Sequence, residues 1–207
     1  MLDPLYAILD VGLCRERRLQ PLAVLDAFLD GGARLIQLRD KISPSGEFLA
    51  LADIAAARAR AAGATLIVND RTDIAAMAKA DGVHVGQEDL GVEQARRVVG
   101  PDAIVGLSTH DDAQIAAALR TTASYIAVGP IYGTATKDTG YEARGLELVR
   151  TAARGGRPVV AIGGITLERA PDVIAAGAAA VAVISDLLRD DPSAMVRRFR
   201  NRLREAV

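Results

Sequence analysis

Gln37, Arg39 and Lys41 follow a short apolar run at a spacing of two, which puts them on one side of an extended chain with Leu35. Two cations side by side ask for an anion with several charges. Two carboxylates, Asp70 after Asn69 and Asp89 after Gln87, end the next two apolar runs. Val83, Val85, Gln87 and Asp89 are expected to share one parity, so that Asp70 and Asp89 converge from neighbouring strands. Carboxylates beside Arg and Lys can simply be paired ions. Hard oxygen ligands with a polyanion also describe a Mg2+–diphosphate site, in which Mg2+ keeps several waters and takes one or two carboxylates. Asp70 reads equally as a helix N-cap with Asp73 three residues on, and the two roles are compatible.

A second anion site is expected at Gly163-Gly164, just before Thr166 at a helix start. Glycines let backbone N–H groups approach a monophosphate, and a helix N-terminus adds a favourable dipole. Ile184-Ser185 would close the same pocket. Further strand ends carry Ser108, His110, and the run Thr134-Ala135-Thr136-Lys137. Ser108 and His110 lack a third group that would complete a nucleophilic triad. His84, between two valines, reads as a structural histidine. The arginines of the last helix read as a solvated face.

The elements that must hold these residues recur with a rhythm. Aliphatic runs stand at Leu5–Leu9, Leu35–Leu38, Leu66–Val68, Val83–Val85, Ile104–Val105, Tyr125–Val128, Val159–Ile162 and Ala180–Ile184. Between them lie Ala-rich stretches with helical spacing, such as Phe48, Leu51 and Ala55, or Met195, Phe199 and Leu203. Asp191 offers a helix start, and Gly63, Gly82, Gly100 and Gly177 offer stops. Continuous apolar strands alternating with helices imply a parallel sheet covered on its outer face. Repeats of about 26 residues favour closure into a compact (β/α)8 TIM barrel over an open sheet. No Gly-rich turn of the dinucleotide-binding or P-loop kind follows the first strand. Residues 1–207 therefore read as one domain, with its chemistry at the C-terminal ends of the strands.

Composition excludes other classes. The chain has 207 residues, 25 Lys+Arg against 26 Asp+Glu, four Tyr, three Phe and no Trp. A formal net charge of −1 supplies no field to recruit DNA or RNA, and few rings are available for base stacking. Cys14 is the one cysteine, so neither an internal disulfide nor a thiolate zinc site is expected. The apolar runs are far shorter than the ~20 residues that span a bilayer. The start of the chain lacks the pattern of a signal peptide. A cytoplasmic protein is expected, with neither nucleic acid nor membrane as partner.

Seven motifs then carry a resemblance. Gln37-x-Arg39-x-Lys41, Val68-Asn69-Asp70, Gly86-Gln87-Glu88-Asp89, Gly106-Leu107-Ser108, Gly129-Pro130-Ile131 leading to Thr134-x-Thr136-Lys137, Ile162-Gly163-Gly164-Ile165 and Ile184-Ser185 occur in this order. Together they resemble the thiamine phosphate synthase family over nearly the whole chain. The resemblance implies that a hydroxymethylpyrimidine diphosphate joins a hydroxyethylthiazole phosphate, giving thiamine monophosphate and pyrophosphate. It implies that Gln37, Arg39, Lys41 and Asn69 bind the pyrimidine diphosphate and that Asp70 and Asp89 hold Mg2+. Ser108 and Lys137 would contact the diphosphate. Thr134 and Thr136 belong to the thiazole phosphate side, with Gly164, Ile184 and Ser185 completing the pockets. Arg39, Lys41, Ser108 and Lys137 would carry the catalysis. The family's path, through a pyrimidine cation, needs no protein nucleophile.

The segment Thr134–Arg144 is expected to fold over the substrates. Many members of the family carry proline where this chain has Gly133, which widens the backbone conformations there. Two other readings compete. A thiazole tautomerase on the same fold would need neither Mg2+ nor a diphosphate cradle and would direct attention to His110 as a proton shuttle. A non-catalytic phosphate-binding barrel would not need a metal-assisted leaving-group site. The expected partners are the two small-molecule substrates, with a homo-oligomer left open.

Overall fold

A computed structural model describes residues 2–133 and 142–205. Eight parallel strands close on themselves in chain order, the first pairing with both the second and the last. They are β1 (Leu5–Asp10), β2 (Leu35–Arg39), β3 (Thr65–Asn69), β4 (Gly82–Val85), β5 (Ile104–Thr109), β6 (Tyr125–Val128), β7 (Val159–Ile162) and β8 (Ala180–Val183). The helices between and after them are α1 (Val11–Glu16), α2 (Pro21–Asp30), α3 (Ser45–Ala61), α4 (Thr72–Met77), α5 (Val92–Val99), α6 (Asp112–Ala118), α7 (Gly145–Ala153), α8 (Ala170–Ala175) and α9 (Pro192–Arg204). This is the expected (β/α)8 barrel.

The unbroken apolar runs have a plain cause: each strand is covered on both faces. One cluster, including Ala7, Leu38, Val68, Val83, Val85 and Val128, lies between strands and helices. A second, including Tyr6, Ile8, Leu35, Ile67, Tyr125, Val160 and Ala182, fills the barrel interior. Period-two geometry assigns alternate residues to the two. On β2 this parity points Gln37 inward with Leu35, as expected.

On β4 the expected parity is wrong. Val83 and Val85 pack outward in the helix-side cluster, so the residue between them, His84, faces the interior. Both faces of a central barrel strand are buried, and apolar character therefore does not tell which one looks in.

Two helix starts also differ from expectation. Arg71, not Asp70, occupies the N-cap of α4, and Asp70 has a φ of +62°. No side chain caps this helix, and the Asp70 carboxylate pairs with Lys41 instead. Helix α8 begins at Ala170, and Thr166 opens a preceding turn in which its carbonyl accepts from Arg169 and Ala170. Asp191 caps α9 as expected, its carboxylate accepting from Ser193 N and Ala194 N. Strand β8 ends at Val183, and Ser185–Leu188 form a short 3-10 turn. No helix among the described residues is long and apolar enough to cross a membrane.

Candidate active site

The strands' C-terminal ends surround a cavity of about 730 Å3. Gln37, Arg39 and Lys41 line it from the β2 side, Asn69 and Asp70 from the end of β3. Asp89 and Ser108 follow from the β4 and β5 sides, and Gly164, Ile184 and Ser185 from across the mouth. Every candidate residue that is described thus opens on one space. Thr134, Thr136 and Lys137 lie outside the described residues, as does most of the expected closing segment.

Each cation has a carboxylate beside it. Arg39 donates to Asp10 Oδ2 at 2.5 Å, and Lys41 pairs with Asp70. The Arg39 and Asp10 side chains are 19% and 8% exposed, so the guanidinium is held by a largely buried partner that limits its motion. Lys41 is half-exposed and can reach further into the mouth. Asp89 arrives by a different route from the one expected. A tight turn over Gly86–Asp89 folds its carboxylate back, and Oδ2 accepts from the Gly86 N–H at 2.7 Å. It lines the same cavity as Asp70, whose charge acts on it. Burial pushes the Asp89 carboxyl above its usual range; the Gly86 N–H opposes the rise, and the neighbouring Asp70 charge adds to it. The convergence of the two carboxylates holds, although strand parity does not cause it.

The opposite wall is built from glycine for reasons of space. Gly164 has φ +60°, and a Cβ there would stand 2.5 Å from the Gly133 carbonyl and 2.8 Å from Tyr132 Cβ. Arg169 reaches back over this turn, donating to the Gly164 carbonyl at 2.8 Å while its guanidinium covers the Tyr132 ring at 4.5 Å. Asp186, after β8, accepts from the Leu167 N–H at 3.0 Å and pairs with Arg189. The turn after β7 is thereby tied to the end of β8.

The interior below the mouth holds what sequence reasoning missed. His84 joins Ser108 above and Tyr125 below it, and Tyr6 and Gln37 continue the hydrogen bonds. Had β4 parity been read from Gly82 rather than from the valines, His84 would have pointed inward. Asp10 was legible only as the polar end of β1. His110 lines the cavity with Nδ1 at 2.6 Å from the Gly129 carbonyl, which makes that nitrogen a donor.

A closed barrel with a polar cavity at the C-terminal ends of its strands defines a (β/α)8 protein with a small-molecule site. The family profile described as thiamine monophosphate synthase matches residues 5–187. A thiamine-phosphate synthase of Mycobacterium sp. (strain KMS) is 45% identical, covering 98% of this chain and 96% of its own. One from Roseiflexus sp. (strain RS-1) is 43% identical over 93% of this chain and 81% of its own. The solved structure of a thiamine phosphate pyrophosphorylase from Pyrococcus furiosus superposes with a TM-score of 0.88 at 29% identity, over 99% of this chain and 98% of that one. The chain belongs to the thiamine monophosphate synthase family and is a transferase of thiamine biosynthesis.

Proposed function

We propose that this enzyme joins hydroxymethylpyrimidine diphosphate to hydroxyethylthiazole phosphate, releasing pyrophosphate. The observation that carries the reading is the meeting of Arg39, Lys41, Asp70 and Asp89 on one side of a mouth whose other side is the Gly163-Gly164 turn. One side suits a diphosphate and the other a monophosphate. Breaking the carbon–oxygen bond to diphosphate places negative charge on the leaving group. Lys41 stands where it can neutralise that charge, and Arg39, oriented by Asp10, adds a fixed cation. Ser108 supplies a hydroxyl beside them. By family resemblance Lys137 joins this set, and Thr134 and Thr136 serve the thiazole phosphate. Gln37 and Asn69 stand on the pyrimidine side. No protein nucleophile is required; the chain's work is to orient two substrates and to exclude water from the cation formed between them.

The donor set fits Mg2+. Asp70 and Asp89 offer all-oxygen ligation, and the Asp89 carboxyl, raised first by burial and further by the neighbouring Asp70 charge, stands where a cation would favour its ionised form. An ion held by these two carboxylates would complete its shell with water and phosphate oxygens. When bound, Mg2+ would supply Lewis-acid stabilisation of the leaving diphosphate. The cytoplasm is the location proposed for this chemistry.

The test is pyrophosphate release from the two substrates with and without Mg2+. Wild-type release should depend on Mg2+ and fall at least about a hundredfold in Asp89→Ala and in Lys137→Ala. Wild-type protein giving no Mg2+-dependent release would overturn the reaction. Unchanged activity in both variants would overturn the site assignment alone.

A further inference from the structure

The barrel interior holds a continuous hydrogen-bonded chain whose middle members, Tyr6, Tyr125 and His84, the reaction as described leaves unused. Gln37 Nε2 lies 3.0 Å from Tyr6 Oη, which lies 2.9 Å from Tyr125 Oη. Tyr125 Oη is 2.9 Å from His84 Nδ1, and His84 Nε2 is 2.8 Å from Ser108 Oγ. The rings are packed to match: Tyr6 meets Tyr125 edge to face, and His84 stacks on Tyr125 with centroids 5.6 Å apart. Tyr6 and Tyr125 are 1% and 0% exposed, so their protons need acceptors within the chain itself.

The orientation of the Gln37 amide selects a direction. The Gln37 amide donates to Tyr6 Oη, and the single Tyr6 proton then has Tyr125 Oη as its acceptor. Tyr125 must donate onward to His84 Nδ1, which is therefore the unprotonated ring nitrogen. The His84 proton sits on Nε2 and is donated to Ser108 Oγ. Having accepted there, the Ser108 hydroxyl turns its own proton towards the cavity it lines. The reverse direction would need Gln37 to accept through its carbonyl oxygen. It would commit the Ser108 proton to His84 and present oxygen lone pairs to any anion in the mouth.

We propose that Tyr6, Tyr125 and His84 are positioning residues, a one-way relay that holds His84 in its Nε2–H tautomer and keeps Ser108 a hydrogen-bond donor to the diphosphate. The diphosphate half of this statement rests on the function proposed above; the tautomer half does not. Burial raises the phenols of both Tyr6 and Tyr125, so each remains a neutral donor at working pH. Gly106 belongs to the same device, because a Cβ there would run into the Tyr125 ring and stand 2.6 Å from His84 Nδ1.

The chain has two histidines, so nitrogen-15 NMR of the ring nitrogens reads the relay directly, with His110→Asn assigning the His84 signals. In wild-type protein without substrates the protonated His84 nitrogen should be Nε2; protonation at Nδ1 overturns the relay, whatever the activity. Tyr125→Phe keeps the stacked ring and removes the donor to Nδ1. The expected results are a mixed His84 tautomer and a KM for the pyrimidine diphosphate about tenfold higher, with the KM for the thiazole phosphate unchanged. Tyr6→Phe leaves Tyr125 able to donate, and the Nε2–H tautomer should persist. A folded Tyr125→Phe protein with an unchanged tautomer and unchanged KM would sink the proposal. Failure of the synthase reading would appear separately, as absent pyrophosphate release from wild-type protein.

Discussion

Asp10 does two things with one side chain: Oδ1 caps α1 through the Leu13 N–H at 2.9 Å, and Oδ2 holds Arg39. Its neighbour Cys14 shows how strongly such a setting acts on a titrating group. Cys14 is fully buried, and burial, helped by the Asp10 charge and opposed by Arg17, pushes its thiol from an ordinary value near 9 to about 11. The native thiol should resist a disulfide-exchange dye at pH 8 and react fully once the protein is unfolded in denaturant. The same shift has a sign for stability. Between about 9 and about 11 the unfolded chain has released this proton while the folded chain retains it, so unfolding free energy falls as pH rises through that window. Cys14→Ala should flatten that part of the stability–pH curve in urea titrations. A dye reaction at pH 8 as fast as that of the unfolded chain would refute the burial argument. Asp10 itself was hardly legible beforehand. Its type, at the end of an apolar run, suits a cap, a ligand or an ion pair alike, and only the β1–β2 pairing of Asp10 with Arg39 decides.

At the scale of elements, legibility followed the number of residues that carried each signal. Strand positions rest on several apolar residues apiece, and all eight stand where the aliphatic runs are, with ends displaced slightly, as at β8. The periodic trio Met195, Phe199 and Leu203 lies buried on α9. The inward face of β4 was not legible, because its two valines are as well buried outside the barrel as they would be inside. Asp70 misled for another reason: Asp in the left-handed region and Asp at an N-cap have the same composition signature. Glycine is similarly two-valued, and two helical glycines separate the cases. Gly31 ends α2 at ordinary helical angles, but a Cβ there would stand 2.7 Å from both Ser193 O and Val196 Cβ of α9. Gly46, in the first turn of α3, has open space around the same position. Gly31→Ala should cost about 1–3 kcal/mol by forcing α9 away from α2. Gly46→Ala should gain up to about 1 kcal/mol by restricting the unfolded chain. Denaturant midpoints that moved in the same direction for both would show that close approach does not explain Gly31.

Across the whole molecule, the two ends of the barrel are held by opposite logic, and the logic predicts how function and stability divide. At the C-terminal end charges converge around open space, with Asp70 and Asp89 close together and Lys41 half-exposed. At the N-terminal end arginines satisfy backbone carbonyls of the loops that enter the strands. Arg96 donates to Pro101 O, Ala103 O and Thr122 O, each at 2.8 Å, and so ties the entry to β5 to the entry to β6. Arg157 does the same for the residues before β6, bonding to Thr121 O and Ala123 O. A guanidinium with several carbonyl partners is hard to replace, because its removal leaves acceptors without donors. Arg96→Ala should therefore cost about 2–4 kcal/mol of stability. It lies at the far end of the barrel from the proposed substrate site, so both KM values should stay within about twofold of wild type while the protein remains folded. Asp89→Ala should behave inversely: it removes a carboxylate that burial and the neighbouring Asp70 charge both disfavour, so its urea midpoint should hold or rise while Mg2+-dependent turnover collapses. Urea denaturation and steady-state kinetics on the two variants check both halves. A loss of turnover in Arg96→Ala at full folding, or a lowered midpoint in Asp89→Ala, would show that the two ends of this barrel are not energetically separate.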